Sequence, residues 1–150
     1  MQANMTINIE TDLEFAFWDK HGAREARLAG TDRAMNKRIR FFSEHLLSGQ
    51  VTFSAILGGE VVGLAGAYYN ETPGVLDLCY VSVDERHRGK GVGSQLANAL
   101  VSCARAGGYR AIACSGYSPL GLTRLRPVLV RLCAEAKVKL RDKAVIQYAD

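Results

Sequence analysis

The sequence is short of almost everything that marks a membrane protein, a metalloprotein or a secreted disulfide framework. No apolar run approaches the roughly 20 residues that a bilayer span requires. The opening MQANMTINIE has no basic segment leading into an apolar stretch, so no secretory leader is expected and the cytoplasm is the expected location. Only four cysteines occur, at positions 79, 103, 114 and 133, and none forms a CxxC pair. The three histidines, at 21, 45 and 87, fall outside metal-ligand spacing, so no metal is expected. The cysteines sit in apolar surroundings, where a free thiol behaves as a small core side chain, and a reducing compartment leaves them unpaired. Aromatic residues make up 8% of the chain and do not alternate with basic ones, which argues against a nucleic-acid surface.

What is present describes a globular domain. The chain has 150 residues, 48% hydrophobic and 23% charged, which is enough for one core and too little for two ordinary ones; residues 1–150 read as a single domain. The net charge of +4 favours anionic partners through the summed field without singling out one class. Met5, Ile7 and Ile9 alternate with polar residues as a first strand does, and Thr11-Asp12-Leu13-Glu14 is a capping box that opens a helix. A second helix is predicted from Thr31 to Gly49. Residues 51–57 and 60–70 flank Gly58-Gly59 and read as a hairpin. Residues 75–83 form a strand apolar on both sides except at Asp77, as a central strand should be. A helix then runs from Val92 to Gly107, followed by a short strand at 109–114 and a helix around Pro127 to Ala136. Residues 137–140 and 144–148 are expected to pair across Arg141-Asp142-Lys143. The class is α/β, a mixed α+β domain.

The stretch Arg86-His87-Arg88-Gly89-Lys90-Gly91-Val92-Gly93-Ser94 carries the chemistry. It joins the central strand to a helix, and three of its residues are glycines at alternate positions. The first amides of a helix lack internal partners and face outward at the positive end of its dipole. Bare glycines let a ligand approach those amides, and Arg86, Arg88 and Lys90 add positive charge, an arrangement suited to phosphate. A nucleoside-triphosphate loop would need GxxxxGK[ST], and no Lys-Ser or Lys-Thr pair follows. A dinucleotide fingerprint would need a third glycine where Ser94 stands and an acid about 20 positions on, which the region near Ala111 lacks.

Arg88-Gly89-Lys90-Gly91-Val92-Gly93 fits R/Q-x-x-G-x-G/A, and LDLCYVSVDERHRGKGVGSQL as a whole resembles the acetyl-CoA signature of the GNAT family of N-acetyltransferases. The order of elements resembles that family over most of the chain. The resemblance implies a central, mostly antiparallel mixed sheet of six or seven strands, with strands 4 and 5 splayed and about four flanking helices. It implies acetyl-CoA as cosubstrate, its diphosphate on the amides of Arg88, Gly89, Lys90, Gly91, Val92, Gly93 and Ser94. Its pantetheine arm would lie along Val81, Ser82 and Val83. Arg86 and Lys90 would either reach the 3′-phosphate or stay solvated.

The implied reaction is direct attack on the thioester by an amine of a small molecule or protein. Asp77 is the first candidate for the base and Glu71 the second. Family members commonly carry Tyr followed by Gly-Phe in the helix after the fifth strand. Here that segment is GLTRLRPVLVRLCAEAKVKL, so Tyr117 or Tyr148 would have to stand in as acid, and Cys133 is its only thiol. The departure admits an alternative, a coenzyme-binding or protein-interaction module without turnover. Phe15, Trp18, Phe41, Phe42, Tyr68 and Tyr69 would border an acceptor pocket. Neither nucleic acid nor membrane is expected as a partner, and a homodimer is left open.

Overall fold

The computed structural model describes residues 5–11, 50–69 and 74–147. The predicted helices after Thr11 and Thr31 lie outside them, with Phe15, Trp18, Phe41, Phe42, Glu71 and Tyr148. Six strands form one sheet in chain order: β1 (Met5–Thr11), β2 (Gln50–Leu57), β3 (Glu60–Tyr69), β4 (Val75–Val83), β5 (Ala111–Cys114) and β6 (Lys139–Asp142). The first four pair antiparallel, and β5 and β6 join in parallel. Gly58 and Gly59, at φ +60° and +81°, close the β2–β3 hairpin in the mirror-image turn that matches strand twist.

Among the described residues, two helices cover one sheet face: α1 (Val92–Ala106) and α2 (Arg126–Ala136), which pack against each other. The apolar stripe of α1 is Val92, Leu96, Ala97, Leu100, Val101 and Ala104, all buried. It lies on Val51, Phe53 and Ala55 of β2 and on Ala65 and Ala67 of β3 within one core cluster. A Cβ at Gly63 would stand 2.8 Å from Val92 Cγ1, so Gly63, Ala65 and Ala67 of β3 face α1. Thr52, Ser54, Leu64 and Tyr80 are buried as well. Their strand positions place them on the opposite face.

One irregularity matters for function. Gly66 pairs with Tyr80 and Ala67 with Leu78, so Cys79 is an extra residue, a bulge in β4. The bulge reverses the inside–outside alternation along the strand. Leu76, Leu78, Val81 and Val83 face α1, while Asp77, Tyr80 and Ser82 face away.

The predicted C-terminal hairpin does not form. β6 pairs in parallel with β5 from Ala111↔Lys139 to Cys114↔Asp142, and the chain continues in the same direction to a Tyr117↔Ile146 bridge. Asp142, read as a turn residue, instead has its carboxylate turned to Tyr117 and Arg126. Among the described residues, no helix is long and apolar enough to cross a membrane.

Candidate functional site

β4 and β5 pair only from Val75↔Ala111 to Asp77↔Ala113 and then part. A cleft of about 380 Å³ opens beyond the divergence. Its first wall is Val81, Ser82 and Val83 of β4 with Arg88, Gly89, Gly91, Val92, Gly93 and Ser94 of the glycine stretch. These are nine of the eleven coenzyme positions expected from the sequence. The two others, Arg86 and Lys90, do not line it.

Asp84 explains the position of Arg86. The carboxylate is buried and accepts from Arg86 N at 2.9 Å, Nε at 3.0 Å and Nη2 at 3.1 Å. The side-chain hydrogen bond from Arg86 is the main reason that the Asp84 pKa is lowered to about 2; burial opposes it. Arg86 therefore closes the turn of residues 85–87 against the end of β4. Arg88 lies on the cleft, its Nε donating to the Val83 carbonyl at 3.2 Å. That bond fixes the guanidinium beside the strand end. His87 also lines the cleft, with Nδ1 3.7 Å from Asp84 Oδ1.

The start of α1 is open. Its first backbone bond runs from Gln95 N to Gly91 O, which leaves the amides of Val92, Gly93 and Ser94 ahead of the ladder. The helix has neither a side-chain cap nor an acidic residue in its first turn, so nothing of its own neutralises the positive dipole end. Gly91 adopts φ +85°, a left-handed conformation that aims the following amides outward, and a Cβ there would meet nothing within 4 Å.

The opposite wall was not identified in the sequence. It consists of Ser118, Leu120, Gly121, Arg124, Leu125 and Val128, from a π turn (Gly121–Leu125) that leads into α2. Ser118 Oγ accepts from Gly121 N at 3.0 Å, and Thr123 Oγ1 donates to the Pro119 carbonyl at 3.2 Å. The Ser118-Pro119 pair is a recognisable helix-start signal, a capping oxygen followed by proline at the first helical position, and it precedes the predicted boundary at Pro127. The cleft thus carries Arg88, Arg124 and His87 and no carboxylate among the described residues that line it.

The catalytic candidates lie elsewhere. Asp77 is half-buried at the last paired position before the strands part, opposite Tyr68 and Ala113, on the face away from α1. Tyr117 is buried, and its hydroxyl donates to Asp142 Oδ2 at 2.6 Å. Arg126 Nε donates to the same oxygen at 2.7 Å. Burial, reinforced by the bond to Asp142, pushes the Tyr117 phenol far above its ordinary range. Burial works against ionisation of Asp142 too, but the bonds from Tyr117 and Arg126 outweigh it and its pKa falls. Tyr117 lines a smaller space of about 30 Å³ between Leu78–Val81 and the end of β5, which shares Val81, Ser118, Gly121 and Leu125 with the cleft. Cys133 is buried, and that burial raises its thiol pKa, which makes it a poor acid.

The acceptor-side aromatics divide by face. Tyr69 is on the α1 side, stacked on Tyr109 with ring centroids 5.2 Å apart, whereas Tyr68 shares the opposite face with Asp77. All four cysteines are free, and among the described residues no group of three or more potential ligands converges on a metal site.

This geometry has parallels in known proteins. A 64-residue segment is 36% identical to an N-acetylaspartate synthetase of Xenopus tropicalis, covering 43% of this chain and 24% of that protein. The chain therefore spans about a quarter of that relative's length. The fold resembles an IAA acetyltransferase from Bacillus cereus, with a TM-score of 0.57 and 20% identity over 85% of this chain and 75% of the other. It resembles equally a GNAT family acetyltransferase from Brucella melitensis solved with acetyl-CoA, at TM-score 0.57 and 18% identity over 79% and 80% of the two chains. At such identities the likeness speaks for the fold. Residues 11–119, more than half of the sequence, match the profile described as the acetyltransferase (GNAT) family. The chain belongs to the GNAT acetyltransferase family.

Proposed function

We propose that the protein is an N-acetyltransferase that uses acetyl-CoA and acetylates a primary amine of a small molecule or protein by direct attack. The observation that carries this reading is the cleft where β4 and β5 part, bounded by an uncapped helix start and cationic side chains, with no carboxylate among the described residues that line it.

The residues present fit the coenzyme. Three amides at the start of α1 and the Arg88 guanidinium suit a diphosphate. The β4 main chain at Val81–Val83, which β5 no longer covers, suits the amides of a pantetheine arm. When bound, acetyl-CoA supplies an activated acyl carbon and a thiolate leaving group. Asp77, at the vertex of the parting strands, accepts the proton that the attacking amine sheds, directly or through water. Glu71 lies outside the described residues and remains the second choice. A main-chain amide of Val81–Val83 stabilises the oxyanion. Tyr117 stabilises the wall of the cleft, because its proton is committed to Asp142. Four free thiols suit a reducing compartment, and we place the protein in the cytoplasm.

One observation favours a second reading, a coenzyme-binding module without turnover: among the described residues, the cleft is lined by no tyrosine, thiol or carboxyl group that could protonate a departing thiolate. Calorimetry with acetyl-CoA, followed by thiol release over a broad panel of amines, separates the two. Binding with amine-dependent release supports the enzyme, and binding without release to any acceptor supports the module. No binding would refute both.

A further inference from the structure

Resting on the coenzyme reading above, we infer that Arg124 is a second ligand for the coenzyme's diphosphate, reaching it from the wall opposite the glycine stretch.

Arg124 belongs to the π turn and lines the cleft that also contains Gly89–Ser94. Among the described residues its guanidinium has no hydrogen-bond or ion-pair partner. The nearby arginines differ in this respect: Arg86 is held by Asp84, Arg126 by Asp142, and Arg88 by the Val83 carbonyl. A guanidinium presents five donors in a rigid fork matched to phosphate oxygens, so an unpartnered one facing a cleft whose described lining holds no carboxylate is suited to an anion.

Its direction is set by its neighbour. Residues two apart on a helical turn do not share a face. Arg126 is turned inward, because Asp142 Oδ2 accepts from it at 2.7 Å and from Tyr117 at 2.6 Å. Anchoring Arg126 toward β6 leaves Arg124 to the cleft. The π turn is closed by Arg126 N donating to Gly121 O, so the same residue that anchors α2 also ends the turn. The Tyr117–Asp142–Arg126 group therefore positions the second wall, and Arg124 is its contact with the ligand.

The test compares Arg124→Ala and Arg124→Lys with the unaltered protein, titrating coenzyme A, 3′-dephospho-coenzyme A and pantetheine in a calorimeter. Loss of a charge-assisted bidentate contact weakens binding on the order of tenfold. Arg124→Ala is expected to weaken both nucleotide ligands by a similar factor and to leave pantetheine unchanged, with the lysine variant intermediate. A loss confined to coenzyme A would assign Arg124 to the 3′-phosphate and overturn the proposal, as would equal losses for all three ligands. Unaltered affinity in a protein that binds coenzyme A refutes Arg124 alone. Failure of the unaltered protein to bind coenzyme A refutes the cleft reading and this inference with it.

Discussion

Gly91 and Gly93 sit two residues apart at the start of α1, yet alanine should act on them in opposite directions. Gly91 is held at φ +85°. An L-residue there meets the left-handed penalty of roughly 1–2 kcal/mol, offset by about 0.4–1 kcal/mol from a less flexible unfolded chain. Space is not the issue, since a Cβ at Gly91 would meet nothing within 4 Å. The net loss is about 1 kcal/mol. Gly93 lies inside the helix without a positive φ, and its added Cβ would make one ordinary contact, 3.7 Å from Val83 Cγ2. Replacing a helical glycine by alanine gains about 0.5–1 kcal/mol. For a chain of this size each kcal/mol moves the melting temperature by about 2–4 °C, so the two variants should melt roughly 3–8 °C apart, on either side of the parent. The assay is thermal unfolding without ligand, followed by coenzyme titration. Gly91→Ala should also lose about tenfold or more in coenzyme affinity, because relaxing the left-handed turn swings the amides away from the ligand; each factor of ten is one bidentate contact's worth of energy. An unchanged or raised melting temperature for Gly91→Ala would show that the turn is not left-handed in solution. A lowered one for Gly93→Ala would show that α1 starts later than Val92.

Three further outcomes test the surrounding framework. The Asp84 carboxyl is lowered from 3.8 to about 2 in the folded chain. Its stabilising contribution is thus complete above about pH 4 and disappears as pH falls through about 2. Melting followed from pH 6 to 2 should show this acid-sensitive loss, and Asp84→Asn should start lower and slope less; parallel curves would remove Asp84 from the account. Tyr117→Phe should cost about 1–2 kcal/mol of stability through the lost bond to Asp142, while turnover falls less than tenfold. A fall of ~100-fold or more at unchanged coenzyme affinity would instead make Tyr117 the acid. Asp77→Asn should lower kcat by about 100-fold or more with coenzyme binding intact. A turnover within a few-fold of the parent would move the base to another group.

The boundaries of β4 were legible because nine residues with a single charge can only be a buried central strand, and the start of α1 because its glycines and its apolar stripe adjoin. The facing of β4 was not legible. Strict alternation would place Asp77, Cys79, Val81 and Val83 on one face. The extra residue at Cys79 shifts the pairing by one, so Asp77 shares a face with Ser82 and not with Val81 and Val83. Nothing in LDLCY marks a bulge, which depends on the neighbouring strand as much as on β4 itself. The C-terminal half failed for a related reason. Arg141-Asp142-Lys143 has the composition of a turn. The Asp142 carboxylate, however, binds Tyr117 and Arg126, which lie 25 and 16 residues away, and that tertiary demand keeps the chain extended alongside β5. The same contacts fix the π turn, and with it the second wall that the sequence did not reveal. The apparent loss of the family's tyrosine and Gly-Phe pattern after β5 is therefore also a gain. The segment that lacks a phenol at the cleft instead presents a guanidinium to it, so the departure bears on how the coenzyme is gripped as much as on how its thiolate leaves.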